Sequence, residues 1–358
     1  MKDDVKAPAR IPTAAVTGLI VDAMAKSGLP AADAAKVAEL MLEADLVGAD
    51  AHGVFRLPQY VMRLKIGGLN PKPTIKVERT APATALVDGD NGMGHLVVSR
   101  AMETAIDIAK ESGIGWVGMR MSNHAGAAGV YAALSLKADM IGLYAAVANA
   151  NHMPLAGGAE PLLGTNPLAI AVPAGKEPPL VLDIATSIVS YGTIKNHRLQ
   201  GKPLPPDWMV DPKTGQAVTD PKKTMDALLL PMAGYKGAGL ALMIGMLAGV
   251  LNGALFGREC IDFNAEPDKV NNTGQFVVAL DPARFQRLDT FKSEVDRHAR
   301  ELRASKTLPG QTVRLPGDER ARRRADRLKN GLMLPPELIA ELDKMAGQLG
   351  IKPLRERA

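Results

Sequence analysis

The chain has 358 residues, 43 Lys and Arg against 38 Asp and Glu, a single cysteine and 46% hydrophobic residues. This composition supports substantial cores and excludes a disordered, collagen-like or disulfide-framed chain. With Cys260 alone, no intrachain disulfide and no cysteine zinc cluster can form, and a net charge of +5 argues for a polyanion partner only if it is concentrated on one face.

In chain order, Met1–Arg10 carries Asp3 and Asp4 and no apolar run, which predicts neither a secretory signal nor a transit peptide and places the chain in the cytoplasm. Thr13 is expected to cap a first helix that buries Val16, Leu19, Ile20 and Met24 and stops at Gly28. A second helix follows Pro30 with Val37, Leu40, Met41 and Ala44 on one face. After a loop over 67–73, alternation over 74–79 and 84–87 predicts a short antiparallel pair. A helix over 96–112, a strand over 114–121, a helix over 127–137 and strands over 140–147, 168–172 and 180–182 make the middle mixed α and β.

Between Lys236 and Arg258 lies an uncharged run in which Gly245, Gly249, Gly253 and Gly257 recur every fourth residue. The run is long enough to span a bilayer. Asn252 within it and the lack of a second span favour a buried core helix whose glycines admit another backbone. A strand over 275–280 comes next, and Asp281-Pro282 is expected to start a further helix. Helix then dominates, including a basic stretch with Arg320, Arg322, Arg323, Arg324, Arg327 and Lys329, expected to be a solvated face and not a nucleic-acid contact because acidic residues interleave it. A last amphipathic helix covers 336–348. Helices at both ends around an α/β middle predict that the terminal segments, 8–78 and 284–358, pack as one discontinuous domain beside a domain over 79–283.

Gly113, Gly115 and Gly118 have the spacing of a dinucleotide fingerprint, but here a helix precedes the glycines and a strand contains them, the reverse of the Rossmann order. They are expected to stop a helix and open a strand. No Walker sequence is present, and no two of the 6 histidines have the helical spacing of metal ligands, so no metal site is expected. Two histidines keep unusual company. His52, Arg56 and Tyr60 place an imidazole, a guanidinium and a phenol in one short stretch beside Gly53, a combination able to hold a carboxylate. His124 falls at a strand end just before a helix start, where loops commonly carry active groups.

Seven segments then occur in a telling order: Ala51–Tyr60 (AHGVFRLPQY), Ser122–Gly129 (SNHAGAAG), Leu162–Ala169 (LLGTNPLA), Leu182–Ser187 (LDIATS), Asp207–Gly215 (DWMVDPKTG), Gly234–Gly239 (GYKGAG) and Arg314–Glu319 (RLPGDE). Together they resemble the malate/L-lactate dehydrogenase family of the non-Rossmann type, whose members act on malate, lactate, ureidoglycolate, sulfolactate, diketogulonate or cyclic imino acids. The resemblance covers nearly the whole chain. It implies an α/β fold of the α+β type, with a mostly antiparallel cofactor-domain sheet of non-Rossmann topology and a helical, substrate-side domain built from both termini. It implies a homodimer and a nicotinamide cofactor bound by the 79–283 domain. His52 and His124 match the two proton-transfer candidates and Arg56 the carboxylate clamp, while Leu182, Asp183, Ile184, Tyr235, Lys236, Pro316, Gly317 and Asp318 fall in the dinucleotide-holding segments. Ala51 departs from the pattern, because serine usually precedes the histidine.

The chemistry suits these residue types. Hydride moves between the nicotinamide and the carbon bearing the oxygen, and an imidazole can give or take the accompanying proton near neutral pH. A guanidinium grips a carboxylate through two parallel hydrogen bonds. Asp183 could accept from ribose hydroxyls and repel a 2′-phosphate, which favours NAD(H) over NADP(H), and Lys236 could offset a phosphate. The resulting expectation is a 2-hydroxyacid dehydrogenase or 2-oxoacid reductase, with a cyclic imino acid reductase as the alternative; nucleic-acid binding and a membrane anchor are the competing classes.

Overall fold

The structure, a computed structural model, describes residues 9–357; the reading of Met1–Arg10 as free of a targeting signal falls mostly on residues 1–8, outside the described residues. Strand β1 (Ala9–Ile11) runs into Pro12, which takes the cap position expected of Thr13 at the start of α1 (Thr13–Lys26). Thr13 is already helical, and its carbonyl accepts from the Thr17 hydroxyl at 2.9 Å. Next come α2 (Ala31–Leu46), α3 (Leu57–Lys65), β2 (Lys76–Ala81), β3 (Thr84–Asp88), α4 (Gly94–Ser112), β4 (Ile114–Ser122) and α5 (Ala128–Ala132). The helix expected over 127–137 tightens after α5 into a 3-10 segment, Ala133–Ala138. Strands β5 (Ile141–Ala146), β6 (Leu168–Val172) and β7 (Leu180–Ile184), helix α6 (Tyr191–Gln200), strands β8 (Met209–Val210) and β9 (Leu228–Leu229) and helix α7 (Tyr235–Ile244) follow. The chain closes with β10 (Thr273–Leu280), α8 (Leu288–Arg303), α9 (Asp318–Asn330), β11 (Leu332–Leu334) and α10 (Pro336–Leu349). Asp281-Pro282 starts only a 3-10 turn, Pro282–Arg284, and α8 begins separately.

The central sheet has 7 strands in the order β2-β3-β4-β10-β5-β6-β7. Only β3 and β4 run parallel; every other pairing in it is antiparallel, which rules out a doubly wound parallel sheet. The fold is mixed α/β with a mainly antiparallel sheet. Alternation along the central strand β10 sends Val277 and Ala279 toward the core shared with α4 and α5, and Phe276 and Val278 toward a second core with Ile244 and Ala248. Gly113 ends α4 with φ +81°, and a Cβ on Gly115 would lie 2.2 Å from the Ala105 carbonyl oxygen. These glycines therefore stop a helix and let it touch a strand, as their order in the sequence implied.

A separate core is helical, drawing Val16, Leu19, Met41 and Leu57 from the first part of the chain and Leu332, Ile339, Leu342 and Leu354 from the last. Strand β1 pairs with β11 and sews the two ends together. Helix α8 contributes nothing to that core; its Asp296 accepts the Gly175, Lys176 and Glu177 N–H groups at 2.9, 2.7 and 3.1 Å, capping the turn between β6 and β7.

The glycine-rich run departs from expectation in two ways. Past α7 the helix widens to a π segment, Gly245–Gly249, tightens over Val250–Asn252 and ends at Gly253, whose φ is +70°, so Gly253 and Gly257 lie beyond the helix. Only the first half of the expected stripe exists. A Cβ on Gly245 would meet the Phe256 ring at 2.0 Å, and one on Gly274 of β10 would meet the Gly249 Cα at 2.6 Å. The opposite face is open: Met243, Val250 and Leu251 are 55%, 56% and 63% exposed, so this is a half-buried helix and not a core helix. Replacing Gly249 with leucine is expected to overpack the helix–sheet contact by about 1–3 kcal/mol, read as a lower midpoint in chemical denaturation. An unchanged midpoint would mean the contact is loose.

Helix α9 carries the basic stretch, but its arginines are not simply solvated. Arg320 pairs with Asp183 at 3.3 Å, Arg324 with Glu43 at 2.8 Å and Arg327 with Asp50, while Arg322 and Arg323 share Glu319. Acidic partners on β7 and the turn after α2 draw Arg320 and Arg327 inward, while Arg324 stays exposed beside Glu43 of α2.

Candidate active site

The segment between α2 and α3 folds as two consecutive 3-10 turns, Asp50–His52 and Val54–Arg56, hinged at Gly53. Pro58 in the first turn of α3 lacks an N–H that the helix would leave unpaired anyway. From this segment His52 meets His124, which leaves the end of β4; the rings stack with centroids 5.8 Å apart and planes 12° apart. Phe263 also stacks with His124, at 5.1 Å and 15°, giving three nearly parallel rings. The Tyr60 hydroxyl lies 2.6 Å from His124 Nδ1, so that nitrogen is tied to the protein.

Arg56 sits at the edge of this stack, its Cζ 5.7 Å from the Phe263 ring centre. Its Nε donates to the Ala51 carbonyl and its Nη1 to Gln59 Oε1, both at 2.9 Å. Beneath it Arg63, 1% exposed, is satisfied largely by carbonyls: Nη2 donates to Gly68 and Lys269 at 2.8 and 3.0 Å and to Asn123 Oδ1 at 3.3 Å. Arg63 thereby ties α3, the loop carrying Phe263 and the residue before His124 into one block. Burial, reinforced by the Arg56 cation, depresses the His52 pKa to about 4. His124 is pushed well below the usual histidine value by burial first, then by Arg56, His52, His95 and Arg63. Both imidazoles are neutral at pH 7. Burial pushes the Tyr60 phenol well up, so it stays protonated.

One short step along the chain lies a cleft of about 380 Å³, lined by Val47–Ala49, Val181–Asp183, Arg314–Gly317, Glu319 and Arg320. The His52 N–H donates to Ala49, and the Gly129 N–H reaches Asp183 Oδ2 at 2.8 Å, which joins the cleft to both histidine-bearing segments. Leu182, Asp183, Pro316 and Gly317 are brought together here. Gly317, at φ +105°, admits a backbone approach that a Cβ would block, because that atom would lie 2.8 Å from the Pro179 oxygen. The residues fit part of a dinucleotide: arginines for phosphate, and the half-buried Asp183 carboxyl for hydroxyl groups.

Other expected site residues are elsewhere. Asp318 faces inward, accepting from the Leu315 N–H at 2.9 Å and pairing with Arg303 at 2.7 Å, which together hold its carboxylate pKa low. Ile184 is on β7 but does not line the cleft. Tyr235 and Lys236 are exposed in the first turn of α7, linked to the segment after β7 through the stretch before the helix, where the Met232 N–H donates to Thr186 and the Ile188 N–H to Leu230, both at 2.9 Å. Sequence reasoning missed Phe263, Arg63, Arg314 and Arg320. Arg320 could have been found, since it lies beside the Arg314–Glu319 motif, whereas nothing local distinguishes Phe263.

The fold thus sets two stacked imidazoles, a guanidinium and an open cleft in neighbouring segments. Comparison with known proteins gives the family. The malate/L-lactate dehydrogenase family model matches residues 11–343. L-sulfolactate dehydrogenase from Methanocaldococcus jannaschii is 38% identical over 333 residues, covering 93% of this chain and 95% of that protein. Delta(1)-pyrroline-2-carboxylate reductase 1 from Burkholderia ambifaria is 31% identical over 333 residues, covering 91% and 94%. The solved structure of malate dehydrogenase from Pyrococcus horikoshii OT3 superposes with a TM-score of 0.87 at 33% identity and covers 97% of each chain. The chain belongs to the malate/L-lactate dehydrogenase family, and its dehydrogenase relatives imply a nicotinamide cofactor.

Proposed function

We propose that the protein is an NAD-dependent 2-hydroxyacid dehydrogenase, working equally as a 2-oxoacid reductase, on small acids of the malate and lactate type. The convergence of His124, His52 and Arg56 beside the cleft carries this reading. A nicotinamide held there would supply the hydride chemistry at the carbon bearing the oxygen. His124, held through Nδ1 by Tyr60, offers Nε2 for the proton of that oxygen. Arg56 clamps the carboxylate with the Nη edge that Ala51 and Gln59 leave free, which orients the reacting carbon. His52, stacked on His124 and more strongly biased to neutrality than a free imidazole, orients the substrate oxygen.

Leu182, Asp183, Pro316 and Gly317 hold one part of the cofactor in the cleft, and Asp183, whose Oδ2 is taken by Gly129 and Arg320, offers Oδ1 to ribose hydroxyls, the basis for preferring NAD(H) over NADP(H); Ile184, Asp318, Tyr235 and Lys236 support it from outside the cleft lining. The division into 8–78 with 284–358 and 79–283 belongs to the same proposal, the helical part facing the substrate. A homodimer is proposed with it, since the open face with Met243, Val250 and Leu251 suits a second copy of the chain, and so is a cytoplasmic setting in which Cys260 stays reduced. The second reading, a cyclic imino acid reductase, draws on the pyrroline-2-carboxylate reductase relative and on Ala51, which offers no hydroxyl near His52. A panel of 2-oxoacids and cyclic imines assayed with NADH and NADPH separates these. Turnover of 2-oxoacids with NADH is the expected result, and exclusive turnover of imines would transfer the assignment.

A further inference from the structure

Asp45, at the end of α2, is 2% exposed, yet its carboxyl takes part in none of the motifs above. It accepts the Val54 N–H at 2.8 Å through Oδ2. The α9 arginines that reach this region pair with other carboxylates, Arg324 with Glu43 and Arg327 with Asp50. Gly53 is glycine for the sake of this contact: a Cβ there would lie 2.0 Å from Asp45 Oδ1. Val54 stands midway between His52 and Arg56, so this hydrogen bond ties the turn that carries both side chains to the end of α2. The anchor is itself braced, because Arg327 donates to the Asp45 carbonyl while it grips Asp50 at the start of the same turn.

We propose that Asp45 is a positioning residue of the dehydrogenase site, holding the 50–56 turn through Val54 so that His52 and Arg56 face the ligand. The proposal rests on the roles given above to those two side chains. Burial pushes the Asp45 carboxyl up to about 8, with Asp50 in the turn adding to the rise and the Val54 N–H and Arg327 of α9 opposing it. The carboxyl is therefore neutral at pH 7 and acquires charge as the pH passes 8, where an unpaired buried charge loosens the turn.

Asp45→Asn keeps an uncharged acceptor for Val54, and Asp45→Ala removes it. Two readouts apply: kcat and KM for a 2-oxoacid with NADH from pH 6 to 10, and amide hydrogen exchange at Val54. Asp45→Asn should stay within about threefold of wild type at pH 7 and lack the rise in KM that wild type shows above pH 8. Asp45→Ala should raise KM about tenfold at pH 7, change kcat less and speed exchange at Val54. An Asp45→Ala protein with wild-type KM and Val54 exchange overturns the proposal, as does an Asp45→Asn protein with the wild-type alkaline profile. If Asp45→Ala fails to fold, the asparagine comparison decides alone. If Val54 exchange responds as expected while the wild-type protein reduces no 2-oxoacid, the anchor stands and the dehydrogenase reading falls.

Discussion

Replacing His124 with glutamine is expected to lower kcat by about 10²–10⁴-fold in both directions, the range that a positioned acid/base contributes. Glutamine keeps an amide of similar reach, so Phe263 and Tyr60 retain a neighbour and the fold should survive; the loss belongs to the proton step. The pH profile gives a second readout. Because burial and the surrounding cations hold His124 well below the usual histidine value, the neutral form persists through pH 6.5. For hydroxyacid oxidation, which needs a bare nitrogen, kcat/KM should stay level as the pH falls past 6.5 and decline only further into acid. Oxoacid reduction needs the protonated form and should weaken as the pH rises. His52→Gln should cost less in kcat and leave the profile's shape intact, and if the two variants change places in these assays, the proton donor is His52.

How much of this was legible depended on the range of the interaction involved. The α4 helix, its glycine stop and the strand after it were readable because periodicity and a positive-φ glycine are local signals. The antiparallel character of the sheet came from the family resemblance; no periodicity announces that β10, far along the chain, inserts between β4 and β5. Residue type alone points to Thr13 as the cap, whereas Pro12 sets the helix start. The glycine stripe misled because spacing by four assumes one continuous α-helix, and the π segment breaks that assumption at Gly249. At the site, His52, Arg56 and Tyr60 were readable because they share one short segment. Phe263 and Arg63 were not, since one stacks its ring on a distant imidazole and the other bonds distant carbonyls. Asp318 shows what a motif leaves unsaid: its carboxylate pairs with Arg303 and accepts the Leu315 N–H, shaping the turn that presents Pro316 and Gly317.

Arg56→Lys is expected to lower kcat/KM for a 2-oxoacid about 10²-fold, divided between a higher KM and a lower kcat. Charge is retained by this substitution, so any loss measures geometry. Arg56 spends Nε on the Ala51 carbonyl and one Nη1 hydrogen on Gln59, and those two bonds hold the guanidinium plane so that its outer edge presents two parallel donors. An ammonium cannot reproduce that arrangement: its donors fan out from a point, and it cannot bond Ala51 and Gln59 while gripping both carboxylate oxygens. The Phe263 ring, its centre 5.7 Å from the guanidinium carbon, would also lose its cation–π partner. Positioning, and not encounter, should suffer most, so the substrate carbon drifts relative to the hydride and kcat falls along with affinity. A neutral analogue of the substrate, such as an ester or amide, should be affected far less, because it never used the clamp. Equal losses for acid and amide would place Arg56 in maintaining the fold of the turn, and unchanged kinetics with the acid would remove it from the site altogether.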